Sequence, residues 1–168
     1  MAILDQRTFE CFTHSEAQTE RIGLRLGELT PAASVIALSG PMGAGKTHFA
    51  RGFGLGWGAQ QSLRSPTFTV VQMHRKIGDG QQRLYHIDLY RVAQLRDLEG
   101  IGLDEIQDDP TATILIEWPE HAAQMLPPRT LSVALAPLAE ERRRLVFHAP
   151  DDAGWQLLLR LRKSVAGV

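Results

Sequence analysis

Gly40-Pro41-Met42-Gly43-Ala44-Gly45-Lys46-Thr47 has the residue types and spacing of a phosphate-binding loop, with a glycine at its start and Gly-Lys-Thr at its end. Glycines let successive backbone N–H groups turn toward one centre and wrap a chain of phosphates, where side chains would obstruct. On this pattern the phosphate contacts fall to Met42, Gly43, Ala44, Gly45, Lys46 and Thr47. A helix opening at Lys46 would aim its free N–H groups at the same anion. Lys46 adds a full charge for the β- and γ-phosphates, and Thr47 offers a hydroxyl to a magnesium ion. Guanine-specific proteins built on this loop usually carry an N/T-K-x-D tetrapeptide, which does not occur in the sequence, so ATP is the expected nucleotide.

Such a loop also needs an acid at the carboxyl end of a neighbouring strand, to hold the magnesium shell directly or through water. Glu117 closes the apolar run Ile114-Leu115-Ile116, and Asp88 closes Leu84-Tyr85-His86-Ile87. Thr67, in Ser65-Pro66-Thr67, lies in the connection where a threonine can sense the γ-phosphate, although Ser-Pro-Thr is also ordinary turn chemistry. Trp118 stands beside Glu117, as a neighbour of the nucleotide or as a buried packing residue. Trp57 and Trp155 read as packing residues. The histidines show no metal-ligand spacing, so zinc is not expected. Arg142-Arg143-Arg144 reads as a charge run on a solvated strand edge.

The elements that must position these residues follow from periodicity. Residues 9–12 suggest an edge strand. Thr13 or Ser15 can cap a helix, Glu16 standing three places after Thr13 as in a capping box, and the helix runs to about Leu29 before Pro31. Val35-Ile36-Ala37-Leu38 is apolar throughout, as in a strand buried on both faces. The helix after the loop should pass through Phe49, Phe53 and Leu55 and stop at Gly56 and Gly58. Residues 68–73 and 84–88 read as strands on either side of a Gly78-Asp79-Gly80 turn. Residues 92–106 suggest one or two short helices, 113–117 a buried strand, and 119–125 a short helix stopped by Pro127-Pro128. Residues 131–136 and 145–148 suggest a hairpin, and Asp151 or Asp152 caps a last helix through Leu161. The whole implies an α/β three-layer sandwich of the P-loop type, with a mostly parallel sheet and antiparallel C-terminal strands, in a single domain over 1–168.

Composition sets the boundaries. The 168 residues are 43% hydrophobic and 22% charged, with a net charge of −1, which suits one domain and argues against a broad basic face for nucleic acid, DNA included. One cysteine, Cys11, excludes an internal disulfide and carries no mark of a nucleophile. No apolar run approaches the length of a membrane span, and the first residues lack a hydrophobic signal core, so a cytoplasmic location without a membrane partner is expected.

Several segments, taken in order, resemble one family. They are Gly40 to Thr47, Ser65-Pro66-Thr67-Phe68-Thr69, Tyr85-His86-Ile87-Asp88-Leu89-Tyr90-Arg91, Leu98-Glu99-Gly100-Ile101-Gly102-Leu103-Asp104-Glu105 and Ile116-Glu117-Trp118-Pro119. This pattern is similar to that of the TsaE (YjeE) family, bacterial ATPases needed to make N6-threonylcarbamoyladenosine at position 37 of tRNAs. The resemblance implies ATP hydrolysis coupled to a complex of TsaB and TsaD proteins, with tRNA reached indirectly through that complex. It implies that Thr47 and Glu117 hold magnesium, that Asp88 is required for turnover, that Thr67 is a switch and that Ser15 and Glu16 lie at the adenosine end. Two departures stand out: Gly40-Pro41-Met42-Gly43 replaces the usual Gly-Asp-Leu-Gly, and His48 replaces a second Thr or Ser. The first also suits small-metabolite kinases of the shikimate kinase type, but residues 52–64 lack the acids such a kinase needs and no Gly-Gly-Gly occurs. A third reading is an ATP-dependent assembly factor without essential turnover.

Overall fold

Apolar side chains that alternate between two faces, or fill both, produce the strands β1 (Ala2–Asp5), β2 (Thr8–Thr13), β3 (Val35–Ser39), β4 (Val71–Lys76), β5 (Asp79–Asp88), β6 (Ala112–Glu117), β7 (Leu131–Pro137) and β8 (Arg143–His148). In the computed structural model, which describes residues 2–5, 7–65, 69–92 and 95–165, Thr67 lies outside the described residues, as do its neighbours Pro66 and Phe68. Among the described residues the strands form one eight-stranded sheet in the order β1-β2-β8-β7-β3-β6-β5-β4. Its centre, β7-β3-β6-β5, is parallel. Both flanks are antiparallel, so the antiparallel part takes in the N-terminal pair and β4 as well as the expected C-terminal hairpin.

Helices α1 (Glu16–Leu29), α2 (Lys46–Trp57) and α4 (Asp152–Val165) share one core with Ile36, Leu38, Leu84, Leu115 and Phe147. The 3-10 segments Leu95–Ile101 and Pro119–Met125, with the short helix α3 (Leu103–Asp108), cover the other face over Val35, Ile87, Ile114 and Ile116. Alternate residues of the central strands therefore feed opposite layers, as a sheet buried on both faces requires.

The elements depart from the sequence pattern where partners override local signals. Ser15 is the cap of α1, its hydroxyl accepting from the Gln18 N–H at 3.1 Å, so the Thr13–Glu16 capping box does not form. Strand β2 is not an edge, because β1 turns back on it. Strand β4 runs on past residue 73 to Lys76, and β5 starts before residue 84, at Asp79, since hairpin pairing extends the ladder beyond the apolar residues. Segment Pro119–Met125 winds as 3-10 with a kink at Ala122. Cys11 is buried, and desolvation pushes its thiol up from 9.0 to about 12, which leaves no reactive thiolate near neutrality.

Helix α2 does not stop at Gly56; it reaches Trp57 and ends on Gly58 in the left-handed conformation. Gly52 and Gly56 lie inside it because α1 packs on that face backbone to backbone. A Cβ on Gly52 would sit 1.9 Å from the Glu20 carbonyl oxygen, and one on Gly56 1.9 Å from that of Leu24. Gly23 and Gly27 make the reciprocal approach from α1, at 2.2 and 2.1 Å from Phe49 and Phe53 oxygens. These contacts with backbone cannot relax by a rotamer change. Gly52→Ala is expected to destabilise the fold by about 1–3 kcal/mol, the usual cost of overpacking, measured by urea unfolding. Gly80→Ala, where an added Cβ meets nothing within 4 Å, should leave stability almost unchanged.

Candidate active site

At the carboxyl ends of the central strands lies a cleft of about 300 Å³. The chain leaves β3 at Ser39 and turns through Gly40 to Gly45 into α2. Gly40 and Gly45 have φ of +139° and +98°, and a Cβ on Gly40 would lie 2.3 Å from the Leu135 carbonyl oxygen, so this loop accepts no side chain there. The Lys46 ammonium donates to the Gly40 and Pro41 carbonyls at 2.5 and 3.0 Å. It also stands 4.0 Å from the centroid of the Trp118 ring, a cation–π contact. Burial lowers the Lys46 pKa, while Glu117, Glu120 and Asp88 pull it back up. Trp118 holds φ of +58° as the cap of the segment that follows β6, a backbone conformation a bulky residue keeps only when its surroundings impose it.

The two acids arrive side by side because β5 and β6 run parallel in register, Asp88 opposite Glu117. Glu117 is 2% exposed and accepts from the imidazole Nε2 of buried His86 at 2.8 Å. Asp88 is held at both oxygens: the Ser65 hydroxyl donates to one at 3.1 Å and the Tyr90 backbone N–H to the other at 2.9 Å. Thr47, Asp88 and Glu117 all line the cleft, and the oxygen donors they bring suit a hard cation such as magnesium. Among the described residues no group of three or more His, Cys, Asp or Glu side chains is arranged to hold a metal ion.

Arg143 corrects the expectation of a solvated charge run. Strand β8 lies between β2 and β7 rather than at an edge, and Arg143 is 6% exposed. Its guanidinium lies against the loop, since a Cβ on Gly45 would be 2.8 Å from Nε. One terminal nitrogen donates to the Glu141 carbonyl at 3.0 Å, and the other is 3.8 Å from Glu16. Nε itself has no hydrogen-bond partner among the described residues. A buried cation with a donor left over beside a phosphate-type loop has the chemistry to meet an anion. Its neighbours in sequence are paired too, Arg144 with Glu10 and Arg142 over the Phe12 ring.

The cleft brings together Glu16, Met42, Gly43, Ala44, Gly45, Lys46, Thr47, Asp88, Glu117 and Trp118. Ser15 serves as the α1 cap beside Glu16. Sequence reasoning missed Arg143 as a cleft residue, and also Tyr90 and His48, which line the cleft as well. It also missed His86 as the partner of Glu117; the signals were its place in the Tyr85 to Arg91 segment that carries the resemblance and its position two residues before Asp88, on the same face of a strand.

Loop, helix and strand-end acids on this sheet define a P-loop protein of the NTPase type. The family model described as "Threonylcarbamoyl adenosine biosynthesis protein TsaE" matches residues 13–145. The tRNA threonylcarbamoyladenosine biosynthesis protein TsaE of Treponema pallidum is 38% identical over 135 residues, covering 80% of this chain and 96% of that protein. The protein of the same name from Bacillus subtilis is 31% identical over 137 residues, 82% of this chain and 83% of its own. The crystal structure of Bacillus subtilis YdiB superposes with a TM-score of 0.76 at 26% identity, over 94% of this chain and 96% of that one. The chain belongs to the TsaE family. These likenesses support that family over the metabolite-kinase alternative. No helix among the described residues is long and apolar enough to cross a membrane.

If Arg143 contacts a bound anion, Arg143→Ala should weaken ATP binding about 10–100-fold, the loss of one or two charge-assisted hydrogen bonds. Calorimetric titration checks this, and unchanged affinity would return Arg143 to a structural role.

Proposed function

We propose that the chain is a magnesium-dependent ATPase required for threonylcarbamoylation of adenosine 37 in tRNAs, acting on a TsaB/TsaD-type transferase complex to sustain its turnover. One observation supports it above the rest: a phosphate-type loop, its lysine and two adjacent strand-end acids share one cleft in a chain of this family. The backbone of Met42 to Thr47 would hold the phosphates, with Lys46 exchanging the Gly40 and Pro41 carbonyls for phosphate oxygens. Thr47 and Glu117 would hold magnesium, which when bound neutralises charge developing on the phosphates. Asp88, fixed by Ser65 and Tyr90, would orient the attacking water. Thr67, two residues beyond Ser65, would act as the switch. Ser15 and Glu16 would lie at the adenosine end, and Trp118 would release the lysine as nucleotide enters. The threonylcarbamoyl group would be transferred by the partner complex, which alone would hold the tRNA. The protein would work in the cytoplasm as a single ATPase domain, without DNA or membrane partners.

The test is incorporation of labelled threonine into unmodified tRNA by purified partner proteins, with ATP and magnesium. The wild type should raise product beyond a single turnover, and Lys46→Ala should not. Asp88→Ala should bind ATP yet fail to hydrolyse it or support repeated turnover. Full turnover with that variant would favour an assembly factor, and no effect of the wild type would sink the reading.

A further inference from the structure

His86 lies one pleat below Asp88 on β5, and its ring reaches diagonally to the acid on the neighbouring strand. In the parallel register His86 pairs with Leu115 and Asp88 with Glu117, so all four side chains share the face that carries the loop. The ring is 1% exposed and donates from Nε2 to Glu117 Oε1 at 2.8 Å. Its Nδ1 has no partner, so Glu117 is the imidazole's one hydrogen-bond partner among the described residues. On packing grounds alone an apolar residue of similar size would fill this space without stranding a polar atom.

The alternatives open to Glu117 show what the tether does. Its nearby cation is the Lys46 ammonium, which it already pulls upon electrostatically. An untethered carboxylate would swing to that ammonium and neutralise the two groups the site needs separately, one for metal and one for phosphate. The geometry points to His86 as the positioning residue of Glu117, holding the carboxylate off Lys46 and toward the cleft so that it meets a divalent cation in one orientation. The assignment rests on the proposed nucleotide site, and it matches how second-shell donors orient metal-binding carboxylates elsewhere.

Glutamine at 86 puts an amide nitrogen near the position of Nε2, whereas the shorter asparagine cannot reach Glu117 and leucine offers no donor. The full-length protein is titrated with magnesium at fixed ATP, and ATP affinity is measured separately in excess chelator. His86→Asn and His86→Leu should raise the half-saturating magnesium concentration about 10–100-fold. His86→Gln should stay close to the wild type, and all three should keep the chelator affinity, which also serves as the test of folding. An unchanged magnesium response in Asn and Leu variants overturns the assignment. So does a loss of chelator affinity in step with the magnesium response, which is the mark of a packing role, or a Gln variant as impaired as the Asn. A wild type that binds ATP without any dependence on magnesium overturns the metal site itself, and is told apart from these outcomes by needing no variant.

Discussion

A carboxylate at the end of a strand buried on both faces is tolerable only where donors and cations close around it. Glu117 stands in that position, at the end of a strand with every residue buried. Leaving such a charge unpaired in low dielectric costs several kcal/mol on the order typical of buried ions. The surroundings answer it from three directions. Strand β5 supplies the His86 ring, helix α2 supplies the Lys46 charge, and the backbone of Glu117 is locked into the ladder through Leu89. Each depends on the parallel register of β3, β6 and β5, because a slip of one residue would turn every one of these side chains to the opposite layer. The register is in turn specified by the apolar residues that must face two different helical layers.

The loop's position is a packing consequence as much as a local one. Its N-terminal anchor is β3, whose Leu38 pairs with both Glu117 and Val133. Its C-terminal anchor is α2, seated on α1 through glycines that allow backbone contact. This close seat brings the first turn of α1 to the cleft, so that Glu16 faces His48 at 3.2 Å and the Arg143 guanidinium beyond it. A bulkier helix interface would move α2 and open the cleft on the side where β8 delivers its arginine. The glycines in the loop and the glycines in the helix therefore serve one geometry by different means, the first by conformation and the second by size.

What was legible in the sequence was what local chemistry determines. The loop is a contiguous motif, and Glu117 and Asp88 are flagged by the apolar runs they terminate. Arg143 was not legible, because its burial depends on β2 covering the open edge of the β7–β8 hairpin, a pairing of residues more than a hundred positions apart in the chain. The His86–Glu117 bond spans 31 positions and needs the order β5 beside β6, which periodicity cannot supply. Gly56 read as a stop signal, since only the partner helix shows that it is a contact. Strand β4 was placed early because its apolar residues precede its pairing partners. The threonine assigned to the switch, Thr67, falls outside the described residues, but Ser65 before it already bonds to Asp88.

The cleft holds its own charges on internal substitutes. Lys46 rests on loop carbonyls and an indole face, Glu16 spans His48 and Arg143, and Arg143 Nε is left over. Carbonyl oxygens and an aromatic quadrupole are weaker partners for an ammonium than a phosphate dianion, and a carboxylate 3.8 Å away is a weak one for a guanidinium. On the proposed function, a triphosphate entering such a site would exchange poor contacts for strong ones at Lys46 of α2 and Arg143 of β8. Binding would therefore join the first turn of α2 and the start of β8 in one ligand network. Hydrolysis, by removing one phosphate, would return part of that network to its internal partners. On the proposed function, that exchange is how the site would report the state of its nucleotide to a protein docked outside the cleft.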